Sequence, residues 1–243
     1  MKVLIVLLVA THCCRAQTIS GDEILKRVDE NMGFETKLSV AHMIVQERRE
    51  TRTIEVKSWS REMKESFTEF LAPPRDRGTK MLKLADQLWT YTPSTDRIIL
   101  IAGHMLRQPV MGSDLSYEDL MEDPVLHNKY DARVVGDETF LGRAGWVLEL
   151  RSKGGDIAYQ SRKIWVDKDR FVVLREDRFA KSGKLLKTTE VRETRKIGSK
   201  WVATDVIFRD VLKSGNGTEF QIESIEFNTD IPPQMFSKAA LRK

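Results

Sequence analysis

The strongest constraint on the fold is a long succession of short β-type segments. From position 37 to position 228, stretches of about 7–12 residues rich in Val, Ile, Thr, Phe and Trp alternate with clusters of turn-forming residues. Those clusters contain Gly, Pro, Asp, Ser and Asn, as at 153–156, 181–184 and 214–217. Strands joined by such short turns are usually neighbours in one sheet. The pattern predicts a mainly β chain with an extensive antiparallel sheet.

One amphipathic helix precedes the strands. Ser20 and Glu23 have the spacing at which a serine and a glutamate satisfy the free amides of a helix start. The apolar residues that follow share one helical face: Ile24, Leu25, Val28 and Met32. Gly33 is suited to the left-handed conformation that ends many helices. We therefore predict a helix over 20–32.

An irregular stretch between positions 102 and 124 interrupts the strand pattern. It begins as a loop, continues into a helix-start pattern at 116–119, and closes at Pro124. Its apolar side chains are Met105, Leu106, Val110, Met111, Leu120 and Met121. Methionine adapts to irregular ligand shapes. We interpret 102–121 as a mobile lid. A loop that touches a membrane surface fits the same sequence equally well.

The first sixteen residues have the composition of an export signal. Lys2 precedes an apolar run of eight residues, and Ala16 supplies the small side chain that signal cleavage requires. The run is too short to stay as a membrane span, which needs about 20 apolar residues. We predict cleavage near Ala16-Gln17 and a single mature domain, residues 17–243, in the periplasm.

Both cysteines of the chain, Cys13 and Cys14, lie inside this signal. The mature protein then has no thiol, and its stability must come from a packed core. A lipid anchor on either cysteine would need a small residue before it, whereas His12 precedes Cys13, and Cys13 precedes Cys14. The sequence favours export without an anchor over a lipid-anchored form.

Charge gives no support for nucleic-acid binding. The chain has 40 basic and 36 acidic residues, and removal of the signal takes away Lys2 and Arg15 but no acid, which leaves 38 against 36. Nucleic-acid-binding domains carry a clear basic excess. Nucleic acid is therefore not expected as a partner.

Motifs for catalysis, metal binding and phosphate binding are missing from the sequence. It has neither a nucleophile elbow nor a zinc-binding helix motif, and its paired glycines stand between strands, with no helix to follow them. His42, His104 and His127 have no second ligand-type side chain at metal spacing. No catalytic residue, metal or cofactor is predicted.

The predicted sheet exceeds the helix available to cover it. A twisted sheet that does not close on itself must fill its concave face with helices or with a ligand. An acyl chain would suit such an apolar space. The candidate lipid-binding side chains, large and apolar in strands or lid, are Trp59, Phe70, Met81, Trp89, Leu100, Met105, Leu106, Met111, Leu115 and Leu120. Arg107 in the lid loop is a candidate latch, with a solvated loop cation as the equal alternative.

Several strings carry a resemblance to a known family. They are PPRDRGTKML at 73–82, LWTYTP at 88–93, GSDLSYEDL at 112–120, Gly183-Lys184 and Phe236-Ser237. With them, the chain resembles the outer-membrane lipoprotein-sorting proteins of the LolA/LolB-like superfamily over essentially all of 17–243. The resemblance implies a strongly curved, unclosed antiparallel half-barrel of about ten or eleven strands. An N-terminal helix and short lid helices would cover it.

The resemblance also implies a function. It points to a periplasmic, non-enzymatic carrier that binds the acyl chains of a lipoprotein or a membrane lipid for transfer toward the outer membrane. An inner-membrane exporter is a candidate donor, and contact with the membrane would be transient. Two alternatives stay open: an envelope sensor or scaffold that binds a protein through its sheet edge, and a lipid-processing hydrolase using His104, Ser113 and Asp114. The sequence leaves cargo, acceptor and oligomeric state undetermined.

Overall fold

A computed structural model describes residues 19–46, 50–155 and 157–243, so the predicted signal at 1–16 lies outside the described residues. Thirteen strands of the described part form one antiparallel sheet. The strands are β1 (Thr36–Gln46), β2 (Thr51–Arg61), β3 (Glu65–Ala72), β4 (Lys80–Leu84), β5 (Gln87–Thr92), β6 (Arg97–Ile101), β7 (Tyr130–Phe140), β8 (Arg143–Ser152), β9 (Ser161–Asp167), β10 (Val173–Phe179), β11 (Leu185–Ile197), β12 (Lys200–Asp210) and β13 (Thr218–Phe227). The α-helices of the described residues are α1 (Gly21–Met32) and α2 (Tyr117–Met121).

The strand order explains why the sheet stays open. It runs β6-β5-β4-β3-β2-β1-β13-β12-β11-β10-β9-β8-β7, so β6 and β7 are the two edges and do not pair with each other. The predicted mainly β, unclosed half-barrel is confirmed. The strand count exceeds the expected ten or eleven because tight turns separate three short strands, β4, β5 and β6, of five or six residues each.

The connection from β6 to β7 determines where the lid lies. These two strands follow one another in the chain but stand at opposite edges of the sheet. Residues 102–129 must therefore cross the sheet from edge to edge, and they do so over the same face that α1 covers. We call this the inner face and the opposite one the outer face.

Helix α1 forms as the sequence predicts, except at its end. The Ser20 hydroxyl accepts a hydrogen bond from the Glu23 amide at 3.1 Å. Ile24, Leu25 and Val28 are fully buried against β7, β8 and β9, whereas Met32 is 47% exposed. Gly33 is extended, with φ −61° and ψ 140°, so the expected left-handed ending is wrong. Its amide still donates to the carbonyls of Asp29 and Glu30, which satisfies the last turn without a positive φ.

The C-terminal segment covers the outer face. It forms two 3-10 turns, Pro233–Met235 and Lys238–Arg242. Leu241 is fully buried there against Phe67, Leu82 and Trp89 of β3, β4 and β5. A segment this short cannot hold a regular helix by itself, so its shape follows the surface on which it packs. No helix in the described residues is long and apolar enough to cross a membrane.

Candidate functional site

The candidate site is the apolar part of the inner face under the lid, which we call the lid compartment. Its buried side chains are Ala41, Met43, Val45, Ile54, Val56, Phe70, Met81, Leu88, Ile101 and Val110. The lid packs half-buried apolar side chains against them: Met105, Leu106, Met111, Tyr117, Leu120 and Met121. In this structure the lid itself therefore fills the apolar face.

Strand register makes this apolar surface continuous. Met43 of β1 stands opposite Ile54 of β2 and Phe220 of β13, and the next inward row places Val56 opposite Phe70 of β3. Side chains directly opposite on neighbouring strands share a face, with Cβ atoms about 5 Å apart. Four strands thus contribute to one apolar patch.

Polar contacts fasten the middle of the lid to the sheet. The Asp114 carboxylate accepts hydrogen bonds from the Thr218 hydroxyl at 2.8 Å and from the Asp210 amide at 3.0 Å. The Lys213 ammonium donates to the Ser113 carbonyl at 2.6 Å, and the Arg52 guanidinium donates to the carbonyl of Met111. These contacts attach the middle of the lid to β2, to β12, to β13 and to the turn after β12.

Helix α2 is fastened through Asp119. Its carboxylate completes a capping box with Ser116, accepts a hydrogen bond from the Tyr159 hydroxyl at 2.6 Å, and pairs with Arg178 at 3.3 Å and with Lys187. Burial opposes ionisation, but the Lys187 ammonium and the hydrogen bonds to the carboxylate hold the pKa of Asp119 below its usual value. The carboxylate is therefore ionised when the lid is closed.

The strands opposite α2 carry a row of cations. Arg178 of β10 stands directly between Arg162 of β9 and Lys187 of β11. Glu176 lies 2.6 Å from Arg162 and 2.9 Å from Arg178, and Glu122, just after α2, pairs with Arg162. Neighbouring like charges repel, so Asp119 of the lid, Glu122 just after it and Glu176 of the sheet compensate for this row.

The three acids and the row of cations form one charged cluster, in which burial affects the pKa values of the acids. Burial opposes ionisation of Glu176, but Arg178 and Arg162 overcome it and lower the pKa of Glu176 to about 2. Burial raises the pKa of Glu122 in spite of the same two arginines. The cluster separates the lid compartment from the second apolar core, which lies beneath α1.

Six of the ten predicted lipid-binding residues come together in the lid compartment. They are Phe70, Met81, Met105, Leu106, Met111 and Leu120. Leu115 instead lines a cleft of about 180 Å³ at the flank of the lid, as does Arg107. Arg107 is exposed and makes no hydrogen bond or ion pair within the part of the chain that the structure describes. The fastening contacts come instead from other cations, Lys187 among them.

Three predicted residues, Trp59, Trp89 and Leu100, lie on the outer face, away from the lid. Trp59 stands opposite Phe67, and Trp89 stands opposite Leu100. In an alternating strand each is one position from an inward side chain. The C-terminal segment packs on Trp89 and Trp59, whereas Leu100 is 45% exposed. Both faces of these strands are apolar, so the composition does not distinguish them.

The sequence did not predict the row of cations formed by Arg162, Arg178 and Lys187. It also did not predict the buried residues that β1 and β2 contribute to the lid compartment. Ala41, Met43 and Val45 gave no clear signal for an inward face, because Val40 and Ile44 beside them are apolar as well. Lys187 gave none, because it lies 68 positions from its partner Asp119. Only the fold brings these two residues together.

The three residues of the hydrolase alternative do not form a catalytic arrangement. Ser113 is fully buried, and its hydroxyl bonds to the backbone of Leu115. The Asp114 carboxylate is occupied by Thr218 and Asp210. Within the described ranges His104 has no hydrogen bond to either residue. Over the same ranges, no group of three or more His, Cys, Asp or Glu side chains could hold a metal ion.

Comparisons with known proteins agree with this architecture. A family model described as "uncharacterized protein" matches residues 62–243. No curated protein matches the chain. A DUF1329 family protein from Desulfovibrio piger is 25% identical, with a TM-score of 0.82 over 91% of this chain and 97% of that one.

Two further crystal structures carry names that refer to lipoprotein sorting or to LolA. A domain from Vibrio parahaemolyticus, named as an outer membrane lipoprotein-sorting protein domain, is 25% identical, with a TM-score of 0.78 over 92% of this chain and 98% of that one. A LolA superfamily protein from Nitrosomonas europaea is 22% identical, with a TM-score of 0.74 over 92% of this chain and 100% of that one. The chain belongs to the family of the matching model, and these structures bear out its resemblance to the outer-membrane lipoprotein-sorting proteins of the LolA/LolB-like superfamily.

Proposed function

We propose that this protein is a periplasmic, non-enzymatic carrier that binds the acyl chains of a lipoprotein or a lipid in the lid compartment and passes them toward the outer membrane. One observation carries the proposal. The inner apolar face is covered by an irregular edge-to-edge connection whose own apolar side chains occupy the place an acyl chain would take. Similarity to a lipoprotein-sorting domain and to a LolA superfamily protein supports it.

Exchange of lid for ligand supplies both capture and release. Burial of an acyl chain stabilises the complex by about 0.8 kcal/mol per methylene. When the chain leaves, Met105, Leu106 and Leu120 return to the same surface, and this repacking offsets much of the loss. A carrier built in this way needs no chemical step to unload, and an inner-membrane exporter is a suitable donor.

The placement of the lid side chains favours a cavity lid over a membrane-contact loop. Met105, Leu106 and Met111 point into the lid compartment, whereas His104, Arg107 and Gln108 are exposed. A membrane-binding loop would present its apolar side chains outward. Contact with a membrane is then expected only while the lid opens.

A scaffold that binds a protein through a sheet edge is the second candidate. Ile99 and Leu100 of edge strand β6 are 43% and 45% exposed, and Val134 and Val135 of edge strand β7 are 36% and 39% exposed. An open edge with apolar side chains can accept an added strand. This reading predicts a protein partner and an empty lid compartment.

Native mass spectrometry distinguishes the two candidates. Residues 17–243 would be purified from a periplasmic extract without detergent, and bound molecules would be extracted and identified. The carrier proposal expects an acylated ligand at up to one per chain, and its loss when Met105, Leu106 and Met111 are all replaced by Ser. Exposed His104 and Gln108, both replaced by Ser, provide the control, which should keep its ligand. A ligand-free protein that also takes up no added lipid or lipopeptide contradicts the carrier and favours the scaffold.

A further inference from the structure

The inner face changes from apolar to polar just beyond the lid compartment. Along β1, Ala41 and Met43 lie in the compartment, whereas the next two inward positions toward the strand start are Ser39 and Lys37. Register places Ser58 opposite Ser39, and Ser60 opposite Lys37. We call these four residues the polar floor. It continues onto β3, where Thr68 stands opposite Ser58 with the two hydroxyl oxygens 3.0 Å apart.

Lys37 stands out within the polar floor because its ammonium has no polar partner among the described residues. Across the described ranges it makes no hydrogen bond or ion pair, and its one aromatic contact is the Phe34 ring, 4.7 Å away. Lys83, in the same cross-strand row, instead donates to the carbonyls of Leu120 at 3.0 Å and Glu122 at 3.3 Å. Burial lowers the pKa of Lys37, because desolvation disfavours its charged form.

The surroundings of the polar floor match the chemistry of an amphiphile. Ile225 and Phe227 of β13 stand opposite Ser39 and Lys37 and are half-buried, so one side of the floor is apolar. Lys37 is four residues from Ala41 along the strand, a distance of about 13 Å at the usual rise per residue. A lipid could therefore place its head group at Lys37 and its acyl chain in the lid compartment.

We propose that the polar floor, Lys37 with the hydroxyls of Ser39, Ser58 and Ser60, binds the anionic phosphate or carboxylate head group of a lipid whose acyl chain occupies the lid compartment. An anion would supply the counter-charge that Lys37 lacks, and the hydroxyls would donate to its oxygens. The inference rests on the proposed carrier function and narrows its cargo to anionic lipids.

Binding of matched probes to residues 17–243 tests the inference. Dodecyl phosphate carries an anionic head, monododecanoylglycerol carries a neutral head on a chain of similar length, and inorganic phosphate has no chain. Calorimetry of the wild type should show tighter binding of dodecyl phosphate. Lys37→Gln should weaken that binding roughly tenfold, as expected for the loss of a charge-assisted contact, and leave monododecanoylglycerol unchanged. Lys57→Gln, which changes an outer-face lysine of β2, should alter neither.

The outcomes separate this inference from the carrier proposal. If neither lipid probe binds the wild type, the carrier proposal fails. If both bind equally well and Lys37→Gln changes nothing, the carrier stands and the head-group site is overturned. Inorganic phosphate that binds as tightly as dodecyl phosphate would show a free-phosphate site and also overturn the lipid assignment. Should Lys37→Gln unfold the protein, Ser39→Ala keeps the test open, with a smaller loss expected for dodecyl phosphate alone.

Discussion

At the scale of single residues, one carboxylate joins the lid to the sheet. Asp119 caps α2 through Ser116 and at the same time meets Tyr159, Arg178 and Lys187. The sequence showed only the first role, because a capping pattern is local whereas the ion pairs depend on tertiary structure. Without Asp119, the cations of the row would face fewer acids. The closed lid and the charge balance of the sheet therefore depend on each other.

Asp119→Asn should destabilise the protein and loosen the lid. The substitution leaves Lys187 and Arg178 buried without full compensation, which typically costs about 3–5 kcal/mol. Urea unfolding of the variant measures the free energy of unfolding, and limited proteolysis within 102–121 measures opening of the lid. Glu118→Gln, whose side chain makes no ion pair within the described residues, is the matched control. An unchanged unfolding free energy for Asp119→Asn would refute the coupling.

Because of Glu176, the free energy of unfolding should decrease at acidic pH. Burial opposes its ionisation, but Arg178 and Arg162 bring its folded-state pKa to about 2, below an unfolded value of about 4.3. The contribution, of order 3 kcal/mol, is present above the unfolded pKa and is lost as the pH falls from about 4.5 to about 2. Burial raises the pKa of Glu122, so its effect on stability is opposite to that of Glu176. Its contribution to the free energy of unfolding is lost as the pH rises through its folded-state pKa.

Unfolding free energies of the wild type and Glu176→Gln, measured between pH 2 and pH 7, test this dependence. The variant is expected to be less stable at pH 7 and to lose less stability below pH 4.5, because it no longer takes up a proton at this site on unfolding. The slope is the decisive quantity, since the variant also leaves two arginines less well compensated. Identical slopes would exclude Glu176 as the source of the acid dependence.

At the scale of elements, the strand pattern and the helix start were readable, but the facing of some strands was not. In β1, Ala41, Met43 and Val45 are the buried inward side chains, but Val40 and Ile44 on the other side are also apolar, so the sequence does not identify the inward side. In β4 and β5 consecutive apolar residues such as Met81 and Leu82 point to opposite faces, and both faces are covered. A pattern that is apolar on both sides carries no information about direction.

Leu241→Ala should lower stability without changing ligand affinity, because it affects only the outer face of the sheet. The side chain is fully buried on the outer face, and truncation of a buried leucine typically costs about 2–5 kcal/mol. Because the lid compartment is on the opposite side of the sheet, affinity for an acyl probe should stay unchanged at temperatures where the variant is folded. Thermal unfolding and probe titration give the two readouts. A selective loss of affinity would show that the outer-face aromatic cluster with Trp59 and Trp89 takes part in binding.

At the scale of the whole molecule, the order of elements and the unclosed sheet could be anticipated, whereas the pairing of β1 with β13 could not. That pairing joins strands about 180 residues apart and sets β6 and β7 at opposite edges. Local turn signals specify only sequence neighbours. The edge-to-edge course of residues 102–129, which creates the site, therefore follows from a long-range contact.

The predicted export signal at 1–16 implies an expected starting point for the mature protein. Intact-mass measurement on protein recovered from the periplasm should give a chain that begins at Gln17. An acyl addition to a chain that begins at Cys13 or Cys14 would instead establish the lipid-anchored form. Full-length protein retained in the cytoplasm would contradict export.

Because the lid is continuous with both edge strands, its contour length limits how far the half-barrel can dilate. Residues 102–129, which contain the lid, are anchored at Ile101 and Tyr130 and can lengthen only by giving up their turns. Unwinding the five residues of α2 from about 1.5 Å to about 3.3 Å per residue would release about 9 Å of slack. Unwinding of α2 can thus lengthen the connection between the two edge strands. The size of the cargo that this protein can enclose should increase with the number of α2 residues that unwind.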